Sequence, residues 1–416
     1  MSPGSLTRLG RILTGVAAPL RLGRDYSLFW TAQTLSAIGD GVGSLALSVL
    51  VLRQTGSAET TSLAVVLRML PPLFVGPVAG LVLDRVSRKT VMALTDLVRS
   101  LVTLYVGYAL YTGTFGVAHA CFWMLASGTM SSFYEPAGMA LIPSLVSSDS
   151  VPRANAVQSM GKNTAWIVGP ALGGIILEAW GGPGVMWVNG VFCAAAALCV
   201  FFIRTQVDAA LSGSGRPGIR RIWDGLAFYR SMPVAVHLLL LTIAINLCTV
   251  PVELGFQVHV LQVLKKDTGM LGLAFSVAAV MSVLSSFWVA AIKSVKLRKM
   301  LLMGIAGMGL SFALTALTTS MWTAFGTFAL FGASGPLILI PISSIYHKVT
   351  PSDIRGRVFA FRSAASTLMA PLSTPIVGWG LDMFGSKTML VVLGVALLTV
   401  GAFASISRPL ADQSLG

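Results

Sequence analysis

Gly80-Leu-Val-Leu-Asp84-Arg85-Val-Ser-Arg88-Lys89 is a short joint between two apolar runs, residues 60–83 and 90–111. Each run reaches the length of about 20 residues that a helix needs to cross a bilayer. The joint itself holds one acid and three bases. A loop this short and this basic between such runs reads as the cytoplasmic turn of a membrane helix pair.

The pattern continues in both directions. Taking charged or Pro/Gly-rich joints as breaks, the first half holds apolar runs at 27–52, 60–83, 90–111, 117–141, 154–178 and 185–203. The second half holds runs at 234–262, 269–292, 299–318, 322–346, 357–381 and 387–407. Composition agrees, with 55% hydrophobic and 11% charged residues and a mean hydropathy of +0.81. A soluble domain carries about 25% charged residues, so lipid must be the solvent for most of this chain. The net charge of +14 does not signal a nucleic-acid partner, because the bases sit in short joints rather than in one patch.

Placement of Lys and Arg sets the orientation. With the N-terminus inside, the tail (Arg8, Arg11, Arg21, Arg24), the joints ending in Lys89, Arg230 and Lys299, the joint with Arg153 and Lys162, the joint with Lys348, Arg355, Arg357 and Arg362, and the C-terminal Arg408 all face the cytoplasm. Of 29 Lys and Arg, only Arg53, Lys265, Lys266 and Lys387 fall on the other face, while Arg68 and Arg99 lie within runs. The chain is therefore expected to be an all-α membrane protein with twelve transmembrane helices and both termini cytoplasmic. Its parts are a basic segment 1–26, a six-helix bundle 27–203, a linker 204–233, a second six-helix bundle 234–407 and a tail 408–416. A repeat supports this division. Asp149 and Asp353, Glu178 and Asp382, and Gly181 and Gly385 are each 204 residues apart. Parallel repeats of six spans describe one kind of secondary transporter.

On these residues the chain resembles the major facilitator superfamily along nearly its whole length. Residues 80–89 match the signature loop of that family, with Ser87 where a Gly is usual. "GPALGG", with Gly169, Pro170, Gly173 and Gly174, resembles a helix motif of its exporters. "SAIGDG", "FYEPAGMALIPSLV", "RANAV" and "RGRVFAFR" resemble the branch of bacterial macrolide-efflux and siderophore-export proteins. Two features depart from the pattern. The fourth span lacks the arginine of the Arg-x-x-x-Gly motif, and "AIKSVKLRKM" keeps the bases of the signature loop without its Gly or Asp.

The resemblance implies a cytoplasmic gate built from Gly80, Asp84, Arg85, Arg88, Lys89 and Glu135. Gly80 would let the second helix end against a neighbouring backbone. Asp84 would meet the positive end of the eleventh helix near Arg357, and Arg88 would pair with Glu135.

Charges inside spans are costly and mark function or pairing. Asp40 and Arg68 lie at depths that differ by about 6 Å at about 1.5 Å per residue, within reach of an arginine. Asp40 is thus either a buried partner of Arg68 or a cavity carboxylate that exchanges a proton, and one does not exclude the other. Glu253, in the seventh span, is a candidate for coupling or cation binding. Asp96 and Arg99, at i and i+3, read as a structural pair.

Four cysteines lie within apolar runs, without disulfide or zinc spacing. His119, His237, His259 and His347 are scattered near span ends without metal-ligand spacing. No P-loop, nucleophile elbow or His-Glu-x-x-His is present. The expectation is a non-enzymatic multi-pass transporter of a prokaryotic plasma membrane, with no catalytic residues, metal or cofactor. It would export an amphipathic organic compound such as a drug, macrolide or siderophore, by alternating access and in exchange for protons. Its partners would be the small-molecule substrate and the lipid bilayer, with no obligatory protein. An uncoupled facilitator, an uptake carrier, a lipid translocator or a non-transporting receptor would use the same topology.

Overall fold

The structure is a computed structural model that describes residues 22–204, 232–291, 297–350 and 354–406, together with Pro19 and Tyr229. Most of the basic segment, nearly all of the central linker and the tail lie outside the described residues. Among the described residues all regular structure is helical.

In the first half, α1 spans Arg24–Thr55, α2 Ala58–Met69, α3 Pro71–Leu83, α4 Arg88–Tyr111, α5 Val117–Leu145 and α6 Val151–Phe201. In the second, α7 spans Pro233–Thr249, α8 Val252–Val258, α9 Thr268–Ala291, α10 Leu297–Ala316, α11 Met321–Val349 and α12 Arg355–Ile406. Nine stretches are long and apolar enough to cross a membrane among the described residues. Their outer surfaces fit that solvent: Trp322 is 84% exposed and Phe74 72%, which in water would be costly patches.

Two boundaries differ from the sequence expectation, each for a backbone reason. The run 60–83 is two helices, because Pro71 and Pro72 supply no N–H to the carbonyls of Leu67 and Arg68 four residues back. The run 234–262 breaks at Pro251 and continues through α8 into a π-helical turn, His259–Val263. The fifth and sixth runs are two helical legs, labelled together as α6, and the eleventh and twelfth are two legs labelled together as α12. Each is bent at a repeat-related glycine, Gly181 (φ 69°) and Gly385 (φ 76°). Positive φ is strained for any residue with a β-carbon, which is why glycine recurs at that offset.

The chain forms two compact units, Met1–Leu47 with Leu67–Ser214, and Ser48–Val66 with Gly215–Gly416. The boundary thus departs from the sequence division: the end of α1 and most of α2 pack with the second half. In the first unit, Tyr26, Phe29, Met92, Leu141 and Val157 share one core. Tyr26 donates to the Ala154 carbonyl at 2.6 Å and Trp30 to that of Val157 at 3.0 Å, tying α1 to α6. In the second unit, Phe256 packs against Phe328, Phe331 and Phe312 at centroid distances of 4.5, 5.4 and 5.9 Å.

The buried His259 joins three helix ends in the second unit. The Thr318 hydroxyl donates to the Thr315 carbonyl, so it accepts from Nε2–H of His259 at 3.1 Å. Nδ1 then accepts from Ser386 at 3.2 Å. His259→Leu removes both bonds and leaves two buried hydroxyls short of a partner. It is expected to cost about 1–3 kcal/mol, read as lower thermal stability of the detergent-solubilised protein.

Candidate functional site

Asp40 lies on α1 between two glycines that fix which way it can face. A β-carbon at Gly39 would lie 2.5 Å from Asn189 Oδ1, and one at Gly41 2.9 Å from the Gly169 backbone. Both neighbours are on α6, so α1 presses against that helix on either side of Asp40, against a side-chain amide at Gly39 and against backbone at Gly41. The carboxylate is left to the other side of α1, where two arginines meet it.

The first is Arg68, in the last turn of α2. Its Nη2 lies 3.0 Å from Asp40 Oδ2, and Nη1 donates to Ser44 Oγ and, at 3.4 Å, to the Asp40 main-chain carbonyl. The guanidinium stands 5.9 Å from the centroid of the Trp123 ring, a cation–π distance. Pro72, four residues on, supplies no N–H to the Arg68 carbonyl. Gly128 of α5 packs directly on that carbonyl, where a β-carbon would collide with it.

The second is Arg99, on α4. Its Nη2 is ion-paired with Asp40 Oδ1. Its Nη1 reaches Ser36 Oγ at 2.7 Å and Asp96 Oδ1 at 3.5 Å. Ser36 in turn donates to Asp96 at 2.8 Å, and the Arg99 guanidinium lies 5.9 Å from the Tyr134 ring centroid.

The two pairs expected from the sequence are therefore one cluster, with two carboxylates and two guanidiniums and no net charge. Burial is graded across it. Asp96 is fully buried and the Arg99 side chain 3% exposed, while Asp40 is 18% and Arg68 25% exposed. Asp96 and Arg99 form the closed side, and the Asp40–Arg68 edge is the one solvent or a solute can reach. Chemically, a proton on Asp40 would remove the shared counterion of both arginines at once.

In residues 80–89, Asp84 caps α3 through its N–H to the Gly80 carbonyl at 3.1 Å. Ser87 caps α4, accepting from Thr90 N–H at 3.1 Å. This gives a reason for serine where the related loops have glycine: the side-chain cap satisfies an orphan helix donor. Lys89 donates to the Ile203 carbonyl at 2.5 Å, just past the end of α6, where a cation suits the helix dipole.

The expected Arg88–Glu135 pair is not formed. Glu135 is ion-paired with Lys162 of α6, and Arg88 donates to the Ala140 carbonyl at 3.0 Å. The reason is position along α5: Ala140 lies five residues beyond Glu135, about 7.5 Å nearer the C-terminal end of that helix at about 1.5 Å per residue. Among the described residues nothing lies within 4 Å of a β-carbon built at Gly80, so its expected close approach is not seen there. The side chain of Arg357, near which Asp84 was expected to dock, lies outside the described residues.

Of the exporter-type motif, Gly169 faces Gly41 and Ile38, and Gly173 faces the Val42 backbone. Pro170 Cδ lies 3.0 Å from a β-carbon built at Gly41. Glu253 sits in the first turn of α8, half-buried, two residues after Pro251. It belongs to the other unit from Asp40.

Residues 29–292 match the family model described as Major Facilitator Superfamily. The chain is 28% identical to the uncharacterized MFS-type transporter YfiS of Bacillus subtilis, over 92% of this chain and 93% of that one. It is 25% identical to the multidrug efflux pump Tap of Mycolicibacterium fortuitum, over 91% and 94%. A crystal structure of a bacterial homologue of the human lysosomal transporter Spinster, inward-facing and unoccupied, aligns with a TM-score of 0.74. It is 14% identical and covers 94% of this chain and 98% of its own.

Proposed function

The chain belongs to the Major Facilitator Superfamily, a family of transporters rather than enzymes, and from that premise we propose that it is a proton-coupled exporter of amphipathic organic compounds. In this reading the chain crosses the plasma membrane twelve times, with α6 and α12 each crossing twice around Gly181 and Gly385, and both termini are cytoplasmic.

The observation that carries the coupling is the position of Asp40, one titratable carboxylate shared by Arg68 and Arg99 at the accessible edge of an otherwise buried, neutral cluster. A proton entering there breaks the ion pairs that tie α2 and α4 to α1 and leaves the neutral contacts to Ser36, Ser44 and the Asp40 carbonyl. Both attachments weaken together, as an ion-driven change of conformation requires. Glu253 is a second coupling or cavity candidate, and the loop 80–89 is the cytoplasmic gate. The efflux direction and the multidrug-like substrate class rest on the pump Tap, whose likeness extends over nearly the full length of both chains.

The test is transport in proteoliposomes with an imposed pH gradient, using a panel of lipophilic cations and macrolides as probes. Coupling predicts that efflux of at least one probe rises several-fold with the gradient and falls to the passive level when an ionophore collapses it. Flux that follows only the probe's own gradient would assign an uncoupled facilitator instead.

A further inference from the structure

We infer that Asp382 is a latch residue: on the outer face it fastens the first turn of α2 to the end of the first leg of α12, and the transport cycle must release it. The inference rests on the proposed transport reading only for which face is outer and for there being a cycle.

The first turn of a helix presents N–H groups that have no partner within the helix. In α2 all of the leading ones are accounted for, and most are satisfied from more than 300 residues away. Asp382 accepts from the N–H of Ala58 at 2.7 Å and of Glu59 at 3.0 Å, and from Ser57 Oγ at 2.6 Å. Ser57 Oγ itself accepts from the Thr60 N–H at 3.0 Å. The carboxylate of α12 thus completes the cap that Ser57 begins, at the positive end of the α2 dipole. Behind it the helices pack closely. A β-carbon at Gly378, one turn before Asp382, would collide with Ser62 Oγ and lie 2.9 Å from the Ala58 carbonyl. Gln262, in the π-helical turn, donates to the Gly56 carbonyl at 3.4 Å. Ser386, just past the Gly385 bend, is tied to the buried His259, so the bend that presents Asp382 is itself anchored.

The other end of α2 gives the latch its use. Ser48–Val66 packs with the second unit, whereas the chain from Leu67 onward belongs to the first. That change of allegiance falls beside the break at Pro71. Arg68 lies in the last turn of the same helix, about 15 Å from its first turn at about 1.5 Å per residue. One short rod therefore carries the latch contacts at one end and the partner of Asp40 at the other. Protonation of Asp40 breaks the ion pair at one end and leaves Arg68 its bonds to Ser44 and the Asp40 carbonyl, and release of Asp382 frees the other end.

Ser62 is fully buried against Gly378, so it reports whether α2 and α12 have parted. The experiment places Ser62→Cys in the full-length protein and measures its labelling by a membrane-impermeant maleimide, in intact cells and in inverted vesicles. The chain without that substitution gives the background of the four native cysteines. Asp382→Ala is expected to raise the labelling rate at position 62 about tenfold or more from the cell exterior. Ser57→Ala, which keeps the carboxylate and two of its bonds, is expected to raise it less. If Asp382→Ala does not yield monodisperse protein, Ser57→Ala alone decides. Unchanged labelling from both sides in every variant that folds overturns the latch. A rise confined to inverted vesicles upholds the latch and overturns the proposed orientation. The readout needs no substrate, so a failed flux measurement leaves it unaffected.

Discussion

Asp40→Asn is expected to lower gradient-driven efflux by about tenfold or more while the protein still folds and inserts. Asparagine preserves the shape of the side chain but not its charge, and it cannot carry a proton. Arg99 keeps Asp96 and Ser36 as partners, and Arg68 keeps Ser44 and the Asp40 main-chain carbonyl. Removing one partner of a fully buried ion pair costs about 3–5 kcal/mol. Here the accessible edge is 18–25% exposed, and solvent screening reduces that to about 1–3 kcal/mol. Asp96→Asn should behave differently: its carboxylate is fully buried and accepts from Ser36, so no solvent screens the loss of its charge. Arg99 is left with Asp40 as its one acid partner among the described residues, and the yield of folded protein should fall. The measurement is proteoliposome efflux with and without a pH gradient, alongside size-exclusion profiles of both variants. Gradient-driven efflux at the unmodified rate in Asp40→Asn would make Asp40 a structural counterion and move the search for coupling to Glu253.

Gly169→Val should remove most of the folded protein. A β-carbon at 169 would lie 2.9 Å from Gly41 Cα and 3.0 Å from the Ile38 carbonyl. Both obstacles are main-chain atoms, so no rotamer change relieves them. Nor can α1 simply back away, because that would break the bonds of Tyr26 and Trp30 to the Ala154 and Val157 carbonyls of α6. Overpacking a core ordinarily costs about 1–3 kcal/mol, and a β-branched side chain driven into two backbones belongs at or above the top of that range. The comparison is Gly76→Ala. No described atom lies within 4 Å of a β-carbon there, and the better helix propensity of alanine should make the change neutral or favourable by up to about 1 kcal/mol. Monodisperse protein remaining after a heating series reads both. Equal losses for the two variants would mean that the α1–α6 contact does not hold the first unit together.

The site was legible in part. Depth along a helix can be counted from the sequence, and that count placed Asp40 and Arg68 within reach of each other. It could not place Arg99 beside them, because the height of a residue says nothing about how its helix is rotated. The i, i+3 spacing of Asp96 and Arg99 pointed to a local pair, which exists, but hid the bond from Arg99 to Asp40. Glu135 shows the same limit: resemblance offered Arg88 as its partner, whereas α6 brings Lys162 alongside. Lys162 entered the sequence reading only as one of the bases that set the orientation. Asp382 was visible only as one member of a repeat, since a helix capped from the far end of the chain leaves no local signal.

Composition and the alternation of long apolar runs with short basic joints determined the solvent and the class, because transfer of a helix into lipid depends on summed hydrophobicity and tolerates changes in order; the family came from the resemblance carried by residues 80–89 and 169–174. Repeat spacing located Gly181 and Gly385, because a positive φ admits few residues other than glycine. Rotation of each helix about its axis, and the choice of neighbour that follows from it, was decided only by packing in three dimensions. That choice made one charge cluster out of two pairs, and gave the first turn of α2 a carboxylate from α12 as its cap.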